Sequence, residues 1–492
     1  MEDILPKLLN FPPHPEPPTP VHDDLYEEHI HAHINKISAI PEKALLQQVA
    51  GGESALDVVD PSRNSASYIY VLAAYITSIG KGNKNIDQAV VWEKITIFLA
   101  TADYRQLRHL GYQLNMVTEF IVNLVQPDYA AAVDPLAYAI LGLDPSGSVL
   151  TTRHLNLVQM SLSSGHFAGA VPVLEKFVLY FNGNAKNPKP KNPYARSLPP
   201  SSYVIPELFH TQKYKSVDVL SYFLWSGMVY MGLQKWESAL ECFESAITYP
   251  SKDNSVSKIM VEAYKKWILV GILLEGKLLP LPASISSMVA KTLHAIGKPY
   301  ETFALIFESG TAARLKSEAD VGEKMWNNDN NAGLIFFVLA AYQKFQIRNL
   351  GKVYSKISIP EIHEETMSAE SGKKLPNAKA IETLVQEMID SGTLHASLSR
   401  PASNPAVLTL APSGPSLPES VMRDKLAEAT ARIQALTHEI KEADRILTHD
   451  KEYIMHARKM RRQAKNGDQA VYGVEMEWDA NEGEDLMAGV AF

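Results

Sequence analysis

Apolar residues recur at intervals of three and four through most of this chain, in a dozen segments of about 10–18 residues joined by short polar turns. Tyr26, Ile30, Ile34 and Ile37 make one such stripe. Further segments run over 68–79, 92–100, 112–125, 155–162, 168–181, 217–231, 236–249, 256–274, 283–295, 300–307 and 331–345. A helix with one apolar stripe is stable only when a neighbour covers it, so many of them in sequence predict a stacked helical array. Three proline-rich stretches interrupt the pattern, with seven prolines in 6–20, six in 188–206 and five in 401–418. Proline fixes φ and lacks an amide donor, so none of these stretches is helix interior. The first predicts an extended arm, the second a surface loop, and the third a divider between body and tail.

The strongest local unit is tetratricopeptide-like. Gly227, Tyr230, Trp236, Ala239, Phe243 and Ala246 sit at the offsets of that helix–turn–helix repeat. Gly227 and Ala239 let two helices approach, and Tyr230, Trp236 and Phe243 fill the groove between them. Gly165, Phe167 and Ala170 give a weaker echo. Tyr104 with Leu107 and Tyr300 with Phe303 give fainter ones, for which an ordinary helical hairpin is the better reading.

After Phe345 the texture changes. Ser358 and Glu361 form a capping box opening a short helix through Glu365, with Pro360 in its first turn. Ile381, Leu384, Val385 and Met388 share one face of a helix over 378–391, and Gly392 ends it. Residues 393–399 alternate Leu394, Ala396 and Leu398 inward as a half-buried strand does, and 406–411 form a second strand. Two helices followed by a hairpin is the order of a winged helix. Thr393, His395, Ser397 and Ser399 then mark an exposed sheet edge suited to pairing with another protein.

The tail carries a heptad seam of about five repeats. Leu426, Ala429, Ile433, Leu436, Ile440, Ala443, Leu447, Ile454 and Ala457 alternate by three and four, with Asp450 the one break. Within it Leu426, Ile433, Leu436, Ile440, Leu447 and Ile454 are the expected partner-binding residues. Five basic residues follow in 458–465, then an acidic end. The chain is thus expected to be mainly α. A proline-rich arm (1–21) leads into a helical-repeat solenoid (22–330) and a winged-helix end (331–412). A linker and bundle helix (413–466) and an acidic flexible tail (467–492) follow.

The residue types needed for catalysis do not assemble. His29 and His33 share a helical face, but His31 points away and neither an HExxH pattern nor a nearby cysteine completes a metal set. Gly80 and Gly82 lack the strand and third glycine of a dinucleotide loop. Neither a P-loop nor a GxSxG elbow is present. Cys242, the one cysteine, lies inside a repeat helix without a cationic neighbour, which predicts a packed thiol. No catalytic residue, cofactor or metal is therefore expected.

Charge and hydropathy narrow the partners. The formal net charge of −8 and the acidic 378–391 helix, with Lys379 against Glu382, Glu387 and Asp390, argue against gripping a phosphate backbone. The longest apolar stretches, 332–342 and 267–274, are too short for a membrane span. A single cysteine, no N-glycosylation sequon and no secretory signal at the N-terminus predict cytosol or nucleus.

A helical solenoid ending in a winged helix and then a long helix resembles the PCI-domain family, the scaffold subunits of the proteasome lid, the signalosome and a translation-initiation complex. Residues 221–250 resemble the family's repeat core, and 347–362 its approach to the winged helix. Residues 261–282 are similar to a segment typical of the signalosome branch, and they are the discriminating stretch. The resemblance covers roughly residues 20–465 and implies a non-catalytic scaffold. The signalosome removes the ubiquitin-like modifier Nedd8 from cullins, and a different, zinc-bearing subunit carries the chemistry. Family members join by edge pairing of winged helices and by gathering C-terminal helices into a bundle, so other signalosome subunits are the implied partners. A scaffold of the proteasome lid or of an initiation complex is the alternative. The insertion over 364–376 is longer than the usual winged-helix turn.

Overall fold

A computed structural model of the chain describes residues 4–12, 22–48, 52–83, 85–126, 128–181, 194–196, 198, 200–204, 215–250, 255–400, 405–410, 419–449, 451, 453–455 and 457–459. Two compact units, Met1–Leu410 and Ala411–Phe492, make up the chain.

The first unit is a succession of paired helices in chain order, followed by a small sheet. Its longer helices are α1 (Asp23–Ser38), α2 (Ser65–Gly80), α3 (Gln88–Thr101), α4 (Gly111–Leu124), α5 (Ala130–Leu143), α6 (Thr152–Ser164), α7 (Ser216–Gly232) and α8 (Trp236–Thr248). Then come α9 (Lys258–Glu275), α10 (Ser287–Ser309), α11 (Ala312–Val321), α12 (Ala332–Leu350), α13 (Ile359–Glu365) and α14 (Ala378–Asp390). Polar side chains start them: Asp87, Ser257, Ser286, Thr311 and Asn377 each accept an amide from the first turn that follows. Left-handed glycines stop two of them, Gly165 at φ 72° and Gly276 at φ 74°. Neighbours in sequence are neighbours in space: α6 packs on α7, α7 on α8, α8 on α9 and α9 on α10.

Two hydrophobic cores fill the repeat region, and α7 joins them. Its Val219, Tyr222 and Val229 belong to the first, and its Leu220, Leu224 and Tyr230 to the second. The same arrangement recurs at α12. Leu334 to Tyr342 pack into the second core, while Ile347 belongs to the core of the winged helix with Ile357, Ile362, Ile381, Val385 and Leu408. One helix thus closes the solenoid and opens the next module, so the expected boundary at 330/331 falls just ahead of a shared element.

The winged helix has the three-stranded order β3 (Lys356–Ser358), β5 (Val407–Leu410), β4 (Ala396–Ser399), all antiparallel. β1 (Val149–Leu150) and β2 (Tyr180–Phe181) form a separate parallel pair. The Ser358–Glu361 capping box is present, with the Glu361 carboxylate accepting from both the amide and the hydroxyl of Ser358. The expected strand over 393–399 starts later, at Ala396. Gly392, at φ 72°, turns the chain, and the amide of Leu394 and the hydroxyl of Thr393 are spent on the Met388 carbonyl. The insertion over 364–376 is a small hairpin bridged at Ser368 and Lys373. It folds back onto α12: Gln343 donates to the Thr366 hydroxyl, Met367 donates its amide to Gln346, and Ala369 enters the second core.

Several other expectations are corrected. Residues 168–181 are a 3-10 turn, a four-residue helix Val171–Leu174 and then β2, because Pro172 is tolerated only in a first helical turn. Residues 287–295 and 300–307 belong to one 23-residue helix, α10, which runs through Pro299, while 283–286 precede it as a turn and its cap. The proline-rich start is not an extended arm where it is described. Leu5–Leu8 is helical, Leu8 and Phe11 are buried, and Ser67 and Asn64 donate to their carbonyls. Residues 13–21 lie outside the described set, as do 182–193, 205–214, 401–404, 411–418 and 460–492, which include the acidic tail. The second proline stretch is anchored where it is described. Tyr194 and Tyr203 are buried, and Arg105 and Arg108 donate to the carbonyls of Tyr194 and Ala195.

Two buried imidazoles give the first unit a pH dependence. His33 pairs with the Ser67 hydroxyl at 2.8 Å, and His154 Nδ1 takes the Thr151 amide at 3.1 Å as the cap of α6. Burial, aided by Lys36, pushes His33 down to about 4. Burial, aided by Arg153, pushes His154 down to about 3. Both stay neutral when folded and take up a proton on unfolding, so stability is full above the ordinary pKa of 6.5 and falls as pH drops toward the folded values. Between pH 7.5 and 5.5 the loss from His154 alone is about 1.4 kcal/mol. His154→Asn keeps a cap acceptor without a titrating group. It is expected to shrink the difference between urea-unfolding free energies at the two pH values by about that amount. An unchanged difference would show that His154 already ionises in the folded chain.

The second unit is described through one helix, α15 (Glu419–His449). Residues 451, 453–455 and 457–459 beyond it are also helical.

Candidate functional site

The chain has three places where sequence and geometry concentrate: the joint between α7 and α8, the outer strand of the winged helix and the seam of α15.

At the joint, a β-carbon on Gly227 would lie 2.5 Å from the Phe243 ring, so only glycine allows that ring to lie across α7. Ala239, Phe243 and Ala246 are fully buried and Tyr230 nearly so. Trp236 has a further role. It packs partly buried against the second core and also meets Phe337 of α12 edge-on at 5.8 Å, so it ties the repeat to the shared helix as well. Cys242 lies partly buried against the second core, and burial, with Glu241 beside it, pushes its thiol up to about 12. That is the opposite of an activated nucleophile.

At the wing, hydrogen-bond alternation decides which residues own the free edge. The amide of Leu410 donates to Ser355 and that of Ile359 to Ala406. Antiparallel bonds alternate along a strand, so 406, 408 and 410 turn their backbone toward β3, and Val407 and Thr409 turn theirs toward β4. Their partners there are Ser399 and Ser397. Backbone donors and acceptors on the outer edge of β4 therefore belong to Ala396 and Leu398. Thr393, His395, Ser397 and Ser399 are exposed; Ser397 and Ser399 share one face of β4, and the first two precede the strand. The edge residues were missed because their identification needs β3, a strand of three residues that carries no alternation of its own.

Along α15 the seam is open. Leu426, Ile433 and Ile440 are 62%, 63% and 61% exposed, Leu436 and Leu447 are less so, and Ile454 is partly covered. Leu426, Ile433, Ile440, Leu447 and Ile454 follow each other at seven-residue steps. That is the spacing of one row of a left-handed helical bundle.

No group of three or more His, Cys, Asp or Glu side chains is arranged to hold a metal ion among the described residues. His33 is turned inward to Ser67 while His29 is exposed, so the two do not make the chelating pair that their spacing allows. No helix among the described residues is long and apolar enough to cross a membrane.

The chain is similar to known proteins. Residues 28–289 match the family described as the N-terminal helical repeats of COP9 signalosome complex subunit 3. A protein of that name from Neurospora crassa is 35% identical, with 89% of this chain and 90% of the relative covered. Another from Emericella nidulans is 29% identical, with 89% of each chain covered. A third, from Dictyostelium discoideum, is 25% identical over 73% of this chain and 77% of its own. With the repeats matched over more than half the chain and a relative aligned nearly end to end, the chain belongs to the COP9 signalosome complex subunit 3 family.

Proposed function

We propose that this protein is a non-catalytic scaffold subunit of the COP9 signalosome, the assembly that removes Nedd8 from cullins. The open heptad seam of α15 carries this reading. A 31-residue helix whose apolar row faces water is built to be covered by other helices. The outer edge of β4 offers a second junction, where a neighbour's backbone would pair with Ala396 and Leu398. The partners are other signalosome subunits, met through the wing edge and a bundle of C-terminal helices, and the setting is cytoplasm and nucleus. Purifying the tagged full chain and identifying the co-eluting subunits tests the reading. Recovery of proteasome-lid or initiation-complex subunits in their place would overturn it.

The protein acts by holding other subunits, so the purified chain is expected to leave a Nedd8–cullin conjugate intact over hours, with or without added zinc. Cleavage abolished by a chelator would refute the non-catalytic role.

A further inference from the structure

A cavity of about 340 Å³ lies where the repeat region meets the winged helix. Two long helices end at it: α9 contributes Gly276 just past its C-terminus, and α10 contributes Phe307 to Gly310. α12 supplies another wall with Tyr342, Phe345 and Asn349, and Glu365 closes the side at the end of α13.

Its lining side chains carry charge of one sign. Glu308 and Glu365 bring two exposed carboxylates, and helix C-termini carry partial negative charge. No lysine, arginine or histidine is among the described lining residues. The other walls are aromatic, with Phe307 edge-on to Tyr342 at 5.2 Å and to Phe345 at 5.5 Å. Carboxylates, carbonyl ends and rings around one small space favour a cation that is flat and weakly hydrated, which describes a guanidinium better than an ammonium.

The chain itself uses this chemistry next door. Arg348 stands 4.2 Å over the Phe345 ring and reaches the Glu275 carbonyl at 3.5 Å. Arg105 stacks on Tyr26 while donating to the Tyr194 carbonyl, and Arg108 stacks on Tyr203 while donating to that of Ala195. In each case a ring and a backbone carbonyl share one guanidinium. The cavity offers rings of the same kind, at the negative ends of two helices, and adds two carboxylates. Its volume, at the small end for ligand pockets, suits one side chain and not a folded element.

We propose that this cavity receives an arginine side chain presented by a partner protein. The assignment does not depend on which assembly the chain joins.

Disulfide capture at the cavity rim tests it in the full chain. Asn349→Cys places a thiol beside the space, while the native Cys242 thiol, held protonated, exchanges slowly. The variant is equilibrated under reversible exchange with equal amounts of cysteamine disulfides of N-acetyl-arginine, N-acetyl-citrulline and N-acetyl-lysine. Capture is read by intact mass, with Asn123→Cys on the exposed side of α4 as the control site. The expected result is at least a tenfold preference for arginine over citrulline relative to the control, with lysine in between. That preference should fall to the control level when Glu308→Gln and Glu365→Gln are added. A preference within twofold of the control would overturn the proposal, as would one that survives the two glutamine substitutions. Lysine captured as well as arginine would also overturn it, because the site would then be a general acidic surface.

Discussion

Ala239→Glu is expected to lower the first thermal unfolding midpoint of the chain by roughly 5 °C, taking a loss of about 4 kcal/mol spread over the Met1–Leu410 unit. Ala239 has no exposed surface, in a helix packed on both α7 and α9. The added methylene and carboxylate group would overfill that site, at about 1–3 kcal/mol. The carboxylate would also lose its water without gaining a partner, and it would escape only by taking up a proton. Gly227→Ala gives an independent check in which the sign decides. In an open helix the change would add about 1 kcal/mol of stability through helix propensity. Here the new methyl would meet the Phe243 ring at 2.5 Å, and that ring is fully buried, so the substitution should destabilise. Scanning calorimetry of the two variants beside the parent measures both. Unchanged midpoints would mean that α7 and α8 do not meet through these residues.

The elements that sequence reading recovered are those whose burial is one-sided. The α8 stripe, the acidic face of α14 and the seam of α15 each set apolar against polar positions at a fixed period, so the core face can be counted from the residues. α5 has no such contrast. Ala132, Val133, Leu136, Ala137, Ala139 and Ile140 are all buried, leaving little polar face to define a period, and Pro135 reads as a break. Pro299 misled in the same way by dividing α10, although a proline removes only one backbone bond from a helix otherwise held by packing along its length. β3 escaped because three residues carry no periodicity, and with it went the alternation that assigns the wing edge to Ala396 and Leu398. The cavity beside α12 was illegible for another reason. Gly276, Phe307, Tyr342 and Glu365 lie far apart in the chain and meet only once the solenoid and winged helix are folded.

The seam of α15 should separate assembly from folding more sharply than any other site. Ile433→Glu, Leu436→Glu and Ile440→Glu introduced together are expected to leave the thermal unfolding of the first unit unchanged and to abolish stable recovery of the subunits held through the helical bundle. Glutamate is a good helix former, so the helix itself survives the change. The three side chains are exposed in the chain alone, so their replacement removes no internal packing. In a bundle the same three would be covered. Full burial of a large aliphatic side chain is worth about 1.5–3 kcal/mol, which puts the lost attraction at 5 kcal/mol or more in order of magnitude, before counting the charges that would be trapped. Since about 1.4 kcal/mol is a factor of ten in affinity, the deficit amounts to roughly a thousandfold or more. The test is a pull-down of the remaining subunits by full chain and triple variant across rising salt. Apolar contact is not screened, so the parent should hold its bundle partners at high salt while the variant loses them at every concentration. A subunit joined only through the β4 edge should be retained by both, which would show that the loss is local to the seam. Equal recovery of every subunit from both proteins would mean that the heptad row of α15 is not an assembly surface.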